Sequence, residues 1–89
     1  MKVEVIAYGY LLTLIGGKTS VDLAEDAGLN DLVAQLAPIP GAFKKGYVGP
    51  YKLNSDLIVL INGRNAKTLT TRALKDGDVV TLIPPLVGG

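Results

Sequence analysis

The feature that most constrains the fold is a short apolar run near the end of the chain, Val79–Ile83. The preceding segment, Asp76–Asp78, is typical of a tight turn, because its glycine accepts a positive φ and its aspartates can bond to nearby backbone amides. Pro84 and Pro85 end the run, since proline has no N–H to donate to a sheet ladder. The β-branched, almost unbroken apolar character predicts a strand that is buried on both faces.

The residues after this strand have the character of an extended tail that a partner protein could bind: Pro84, Pro85, Leu86, Val87, Gly88 and Gly89. Two prolines hold a chain extended and reduce the entropy lost on binding. The leucine and the valine can each gain about 1.5–3 kcal/mol if a partner buries them. The two glycines have no side chains, so a terminal carboxylate could enter a narrow channel. We therefore predict a domain over residues 1–83 and a tail over 84–89 that reaches roughly 20 Å; a frayed terminus is the alternative.

Composition narrows the possible functions. The 89-residue chain is long enough for one small domain, and its 48% hydrophobic and 19% charged residues indicate an ordered one. A net charge of +1 argues against nucleic acid or an anionic membrane as the main partner. Because the chain has no His and no Cys, it lacks the usual metal ligands and catalytic bases, and no metal site is expected. The lack of Cys also fits a reducing compartment, which predicts a cytoplasmic protein.

The first half of the chain predicts two strands followed by the main helix. Lys2–Tyr8 alternates and is rich in strand formers, and Lys18–Leu23 pairs back with it after a Gly-Gly turn. Leu29–Ala37 places its large apolar residues at helical spacing, as expected for a helix that covers a sheet. The helix is expected to begin between Gly28 and Asn30.

The connection between the first two strands, Tyr8–Ile15, is unusually apolar. Partial burial is the favoured interpretation, and an exposed patch for a partner is the alternative. The run is too short to span a bilayer, and Glu4 does not fit the charged leader of a signal peptide. Gly16–Ser20 superficially resembles a phosphate-binding loop, but a strand is predicted to follow where that motif needs a helix.

Two stretches resemble the ubiquitin-like sulfur carriers, the family that includes the small subunit of molybdopterin synthase and the thiamine-biosynthesis carrier. They are Leu74–Asp78 followed by Pro84–Gly89, and Val59–Arg64. The match is specific at the tail and at Val59–Arg64, and it is weaker but collinear over the rest of the chain, so it covers nearly all of it. The resemblance implies a β-grasp fold. Relatives usually carry charged residues in the connection between the first two strands, which is apolar in this chain.

The second half of the chain agrees with that implication. Residues 41–56 are glycine-spotted and predicted to be irregular, with one short helical turn at Ala42–Lys45. Leu57–Ile61 predicts a central strand, Asn62-Gly63 a hairpin turn, and Arg64–Leu69 a brief edge segment. The resulting order of strands and helix is the one that a β-grasp domain requires. We therefore expect an α+β fold with a mixed sheet of four to five strands, covered by one main helix, whose first and last strands lie parallel at its centre.

One basic cluster stands out in the irregular region: Lys44, Lys45 and Lys52. A solvated surface is the favoured interpretation. The alternative is a rim contact with an acidic partner, which would raise the association rate more than the affinity.

The resemblance also implies a function. An ATP-using adenylating enzyme would activate Gly89, and a sulfur donor would convert the acyl-adenylate to a thiocarboxylate. The tail would deliver this sulfur to a pterin precursor in the large synthase subunit, for a molybdenum or tungsten cofactor. Gly89 would be the reactive terminus, Gly88 a slim spacer, Leu86 and Val87 the anchors, and the two prolines a stiffener.

The chain itself would bind no cofactor and would not catalyse the reaction alone, because the catalytic groups would lie in its partners. Two alternatives stay open. One is a protein modifier that is joined through Gly89 to lysines of target proteins. The other is an interaction module whose tail is docked but never activated.

Overall fold

The computed structural model describes residues 1–12, 16–36, 47–48, 51–52, 56–68 and 73–85. Within these ranges the chain forms seven strands, one main α-helix and one 3-10 helix, and Leu11 and Leu12 are also in helical conformation. The strands are β1 (Lys2–Ala7), β2 (Lys18–Asp22), β3 (Tyr47–Val48), β4 (Tyr51–Lys52), β5 (Ile58–Ile61), β6 (Arg64–Asn65) and β7 (Val79–Ile83). The α-helix, α1, spans Leu29–Leu36, and the 3-10 helix spans Ala66–Thr68.

Five strands form one mixed sheet in the order β2-β1-β7-β5-β6. Strands β1 and β7 are parallel, with Val5 beside Val80 and Ala7 beside Leu82, whereas the other pairs are antiparallel. The first and last strands therefore lie next to each other inside the sheet, as predicted. The α+β class and the single main helix are also confirmed for the described residues.

The core lies between this sheet and α1. Its most completely buried strand residues are Val3 and Val5 on β1 and Val80 and Leu82 on β7. The remaining core residues are Ala7, Leu11, Leu23, Ala27, Leu29, Leu32, Val33, Leu36, Leu57, Val59, Ile61 and Leu74. Each buried Val or Leu side chain contributes about 1.5–3 kcal/mol relative to exposure, so the β1–β7 pair is the energetic centre of the fold.

The start of α1 is set by a local cap. The Gly28 N–H donates to Oδ2 of Asp31 at 2.8 Å, and the Gly28 carbonyl accepts from the amides of Asp31 and Leu32. This is the half of a capping box in which the third helical residue reaches back to the cap. The predicted helix start is confirmed. Ala37, the predicted end, lies outside the described residues.

The prediction that Val79–Ile83 is buried on both faces is wrong. Val80 and Leu82 are buried, but Val79, Thr81 and Ile83 are only half-buried. The reason is the layer arrangement, because the helix and the buried residues of the strands lie on one side of the sheet. The other side, which we call the open face, keeps partial contact with solvent.

The prediction of an irregular segment over residues 41–56 needs correction. Strands β3 and β4 pair antiparallel in this region, with Tyr47 opposite Lys52, and form a small separate hairpin. The predicted helical turn at Ala42–Lys45 lies outside the described residues, as do two lysines of the basic cluster. For the third, only the backbone is described.

The predicted edge segment Arg64–Leu69 is shorter than expected. Only Arg64 and Asn65 pair with β5, and the 3-10 helix follows at once. No helix in the described parts of the chain combines the length and apolar character needed to cross a bilayer.

Candidate functional site

The candidate site begins where β7 ends and the predicted tail starts. Pro84 is buried and Pro85 is exposed. Residues 86–89 lie outside the described residues, so the roles of Leu86, Val87, Gly88 and Gly89 remain predictions. The described structure therefore shows the base of the tail and the surface from which it departs.

Pro84 is held against a turn at the end of β1. Gly9 has a φ of +61°, which favours glycine, and a Cβ placed on it would lie 2.8 Å from Cγ of Pro84. Glycine is therefore required at this position both for its backbone conformation and for the close approach of the proline ring. The first residue of the predicted tail is therefore packed against the domain.

The ladder between β1 and β7 leads directly to this contact. The Tyr8 N–H donates to the Leu82 carbonyl at 3.1 Å, one step beyond the pair Ala7 and Leu82. Pro84 has no N–H and cannot continue the ladder. The strand therefore ends where the Gly9 turn covers the proline.

The open face beside the tail carries an apolar surface. We call it the open-face patch and define it as Ile6, Tyr8, Ile58, Leu60 and Ile83. The register places Ile58 opposite Ile83. Ala7 lies beside Leu82, so the next residue of each strand places Tyr8 alongside Ile83. Tyr8 and Ile58 are 51% and 48% exposed, and the other three are half-buried. Contiguous exposed apolar surface of this kind is characteristic of interaction sites.

The far side of the open face is charged. Lys18 Nζ lies 3.7 Å from Oε2 of Glu4, with both side chains well exposed, and Lys2 pairs in register with Asp22. Exposed ion pairs of this type contribute about 0–1 kcal/mol. The open face thus divides into an apolar part near the tail and a charged part along β2.

The start of β7 is held by side chains that the sequence analysis assigned only to turns. Asn62 has a φ of +53°, and its Oδ1 accepts from the Val79 N–H at 2.9 Å. Its Nδ2 donates to Oδ1 of Asp78 at 2.8 Å, and Oδ2 of Asp78 accepts from the Lys75 N–H at 2.7 Å. Asn62 therefore clamps the first residue of β7 to the hairpin that follows β5.

The turn before β7 is tied to the N-terminal strand. Gly77 has a φ of +86° and donates its N–H to the Lys2 carbonyl at 2.8 Å, and Oδ1 of Asp76 accepts from the Lys2 N–H at 2.7 Å. The predicted turn at Asp76–Asp78 is confirmed. Together with Asn62 it fixes one end of β7, while Gly9 and Pro84 fix the other.

The residues described here offer binding surface rather than reactive groups. Within the described parts of the chain, no three carboxylates are grouped so that they could hold a metal ion. The side chains around the tail are Ile, Leu, Tyr and Pro, which bury well but do not transfer protons at neutral pH, apart from the weakly acidic phenol of Tyr. The described residues therefore offer an apolar surface, of a kind that can dock a partner, beside the base of the predicted tail.

The open-face patch and the role of Gly9 were not predicted from the sequence. The patch is assembled by strand register, which brings together residues from β1, β5 and β7. A signal for Gly9 was present, because an isolated glycine at the end of a strand pattern often marks a close approach of another chain segment.

Comparison with known proteins gives evidence about the family of this chain. The family model of the ThiS family matches residues 5–89. None of the curated proteins matches the sequence.

Solved structures include several similar folds. SAMP1 from Haloferax volcanii, a small archaeal modifier protein, superposes with a TM-score of 0.75 at 25% identity, covering 100% of both chains. A putative molybdopterin converting factor subunit 1 from Pyrococcus furiosus gives 0.65 at 28% identity, covering 96% of this chain and 98% of that one. A complex of subunits 1 and 2 of the molybdopterin-converting factor from Helicobacter pylori gives 0.59 at 29% identity, covering 100% of both.

Proposed function

This chain belongs to the ThiS family of ubiquitin-like sulfur carriers and has their β-grasp fold, and we propose that it is the sulfur-carrying small subunit of a molybdopterin synthase. The observation that carries the proposal is the extent of the family match, which runs to residue 89 and includes Gly88 and Gly89. The likeness to two molybdopterin converting factors supports the choice of this member of the family.

The proposed chemistry takes place at Gly89. A carboxylate is a resonance-stabilised anion and a poor electrophile, so a partner enzyme first has to activate it. The carboxylate oxygen attacks the α-phosphorus of ATP, which gives an acyl-adenylate and releases pyrophosphate. A sulfide equivalent from a donor protein then attacks the acyl carbon, AMP leaves with the electron pair of its C–O bond, and a thiocarboxylate remains. Its dependence on ATP and on a reduced sulfur donor fits the cytoplasm.

The contribution of this chain to catalysis is positioning. Pro84 packs against Gly9, which fixes the base of the predicted tail on the domain. A chain end delivered in a defined orientation saves entropy that would otherwise raise the barrier, an effect of several kcal/mol in well-oriented reactions. Leu86 and Val87 would anchor the tail, and Gly88 would pass through the narrowest part of the partner's channel.

The proposed main partner is the large subunit of the synthase. The Helicobacter pylori structure, a complex of the two subunits of a converting factor, supports this assignment. The open-face patch provides an apolar docking surface beside the tail. Because apolar burial is not screened by salt as surface charge is, the complex should persist at high ionic strength.

A second candidate function, protein modification, is favoured by the likeness to SAMP1. In that case the activated Gly89 carbonyl would be attacked by a lysine amine of a target protein, with loss of AMP and formation of an amide. A carrier and a modifier would share the activation step and differ in the acceptor.

Immunoprecipitation of the untagged protein from its native cells distinguishes the two functions. We use the untagged form because the N-terminal ammonium of Met1 hydrogen-bonds the Leu23 carbonyl at 2.6 Å, and a tag would disturb that contact. A carrier should be recovered mainly free and in a non-covalent complex with a large subunit that survives high salt. A dense ladder of covalent adducts that disappears on deletion of Gly89, without a synthase subunit, would favour the modifier.

The same experiment on a tail variant tests the anchors. Changing Leu86 and Val87 to Ser should forfeit roughly 3–6 kcal/mol of binding, at about 1.5–3 kcal/mol per side chain, and so should remove the large subunit from the precipitate. Ala34→Ser, on the exposed side of α1, is the control and should leave the complex intact.

A further inference from the structure

The connection after β1 presents large apolar side chains to solvent next to the tail. Tyr10 is 56% exposed and Leu12 is 48% exposed, whereas Leu11 between them is fully buried. Of the two interpretations of this apolar stretch, burial holds for Leu11 and exposure for its two neighbours. The residues of the connection beyond Leu12 lie outside the described residues until Gly16.

The backbone holds these two side chains in place. The Leu12 N–H donates to the Gly9 carbonyl at 3.0 Å, and the Gly16 N–H donates to the Leu12 carbonyl at 2.9 Å. A Cβ placed on Gly17 would lie 3.0 Å from Cδ2 of Leu12, so this side chain packs closely over the returning backbone. Tyr10 and Leu12 therefore lie at the start of a short helical turn, on either side of the buried Leu11.

The length of the tail determines what must approach this turn. The four residues after Pro85 span at most about 13–14 Å when extended, at roughly 3.3–3.6 Å per residue. An enzyme whose active site holds Gly89 therefore has to come within that distance of Pro85. Because Pro84 packs on Gly9, the enzyme surface then lies close to the turn that carries Tyr10 and Leu12.

We propose that Tyr10 and Leu12 form a specificity contact for the ATP-dependent enzyme that activates Gly89, a contact that rests on the proposed function. The tail consists only of Pro, Leu, Val and Gly, so its chemistry distinguishes this chain poorly from other proteins with a similar end. Recognition needs side chains outside the tail but within reach of the same active site. Tyrosine suits this role, because it buries a rigid ring while its hydroxyl keeps a hydrogen-bond partner. The expected complement is an apolar depression at the mouth of the enzyme's tail channel.

The test uses the activating enzyme isolated from the source cells by its ATP–pyrophosphate exchange in the presence of this chain. The exchange rate is measured against carrier concentration for wild type and for the double variant Tyr10→Ser with Leu12→Ser. We expect the KM for the double variant to rise about tenfold or more, the effect of losing an interface hot spot, with kcat unchanged because the tail is intact.

Four controls make the result specific. Tyr10→Phe keeps the aromatic ring, so its KM should stay close to that of wild type. Ala34→Ser should have the same KM as wild type. Thermal unfolding of the double variant should show that it is folded, since both replaced side chains are about half exposed. Sedimentation of wild type should show a monomer; a dimer that the double variant dissociates would assign the turn to a second copy instead and overturn the proposal.

The outcomes separate this inference from the proposed function. An unchanged KM for the double variant, with normal exchange by wild type, overturns the specificity contact and leaves the proposed function standing. A loss of kcat at unchanged KM also overturns it, because the turn would then position the tail rather than recognise the enzyme. Failure of wild type to support exchange with any enzyme fraction that consumes ATP would refute the proposed function, and the specificity contact would fall with it.

Discussion

Leu82 and Ile83 are neighbours in β7 but lie on opposite faces of the sheet, so replacing each by alanine should separate folding from partner binding. Leu82 is 1% exposed and belongs to the core, whereas Ile83 is half-buried on the open face beside the tail. The two substitutions remove side-chain carbons from the same strand. Any difference in stability or binding between the two variants is therefore due to the face of the sheet on which the side chain lies, and not to the strand.

The structure gives the size of each effect. Leu→Ala at a buried site costs about 2–5 kcal/mol, because transfer energy is lost and a cavity remains. Ile83→Ala removes three carbons that are about half-buried, so at about 0.8 kcal/mol per buried CH₂ the loss is near 1 kcal/mol. For a domain of this size, the melting temperature should fall by roughly 10 °C or more for Leu82→Ala and by about 4–8 °C for Ile83→Ala.

The assay pairs thermal unfolding with titration of the folded variants against the proposed partner, the large synthase subunit. Ile83→Ala should weaken that complex about tenfold, the equivalent of 1.4 kcal/mol, because its side chain belongs to the open-face patch. Leu82→Ala should bind with nearly wild-type affinity at a temperature where it is folded. Equal losses of stability for the two variants, or normal binding by Ile83→Ala, would refute the assignment of the two faces.

Three further predictions concern the tail and the two ends of β7. Removing Gly88 and Gly89 should leave the melting temperature nearly unchanged and abolish adenylation, as measured by pyrophosphate exchange. Gly9→Ala should cost at least twice as much as Gly63→Ala, for which about 1 kcal/mol is expected in urea unfolding, because both have positive φ but only at Gly9 would a Cβ meet another residue. Asn62→Ala should lower the free energy of unfolding by about 1 kcal/mol, since the Val79 N–H loses its acceptor; a urea midpoint equal to that of wild type would contradict the clamp.

Local signals in the sequence predicted most of the elements. The turn at Asp76–Asp78, the start of α1 near Gly28 and the strand at Val79–Ile83 each depend on residues within a few positions of one another. Turn chemistry, capping and apolar periodicity act over that range, so they can be read from the sequence. The parallel arrangement of the first and last strands followed from the order of the elements and the resemblance.

What could not be predicted depends on contacts between distant parts of the chain. The approach of Pro84 to Gly9 joins residues at opposite ends of the sequence, and the bond from the Val79 N–H to Asn62 spans 17 residues. The open face of β7 was misjudged for a related reason. A continuous apolar run fits a strand covered on both sides, and equally one whose second face is kept apolar for a partner.

The small hairpin of β3 and β4 was missed because its strands are only two residues long and lie among glycines and a proline. Strands of two residues are too short to show an alternation of apolar and polar side chains. The candidate site was predicted in part, since the tail was identified from its composition. The surface around its base depends on register, which a single sequence does not specify.

The central claim is that Gly89 carries sulfur, and intact mass spectrometry of the protein isolated from its native cells tests it most directly. We expect a fraction of the molecules to be heavier by one exchange of oxygen for sulfur, with the change confined to the C-terminal peptide. The same species should form in vitro from wild type, the activating enzyme, ATP and a sulfur donor, and should not form after deletion of Gly89. Recovery of the unmodified mass alone, from cells and from the complete reaction, would contradict the assignment of this chain as a sulfur carrier.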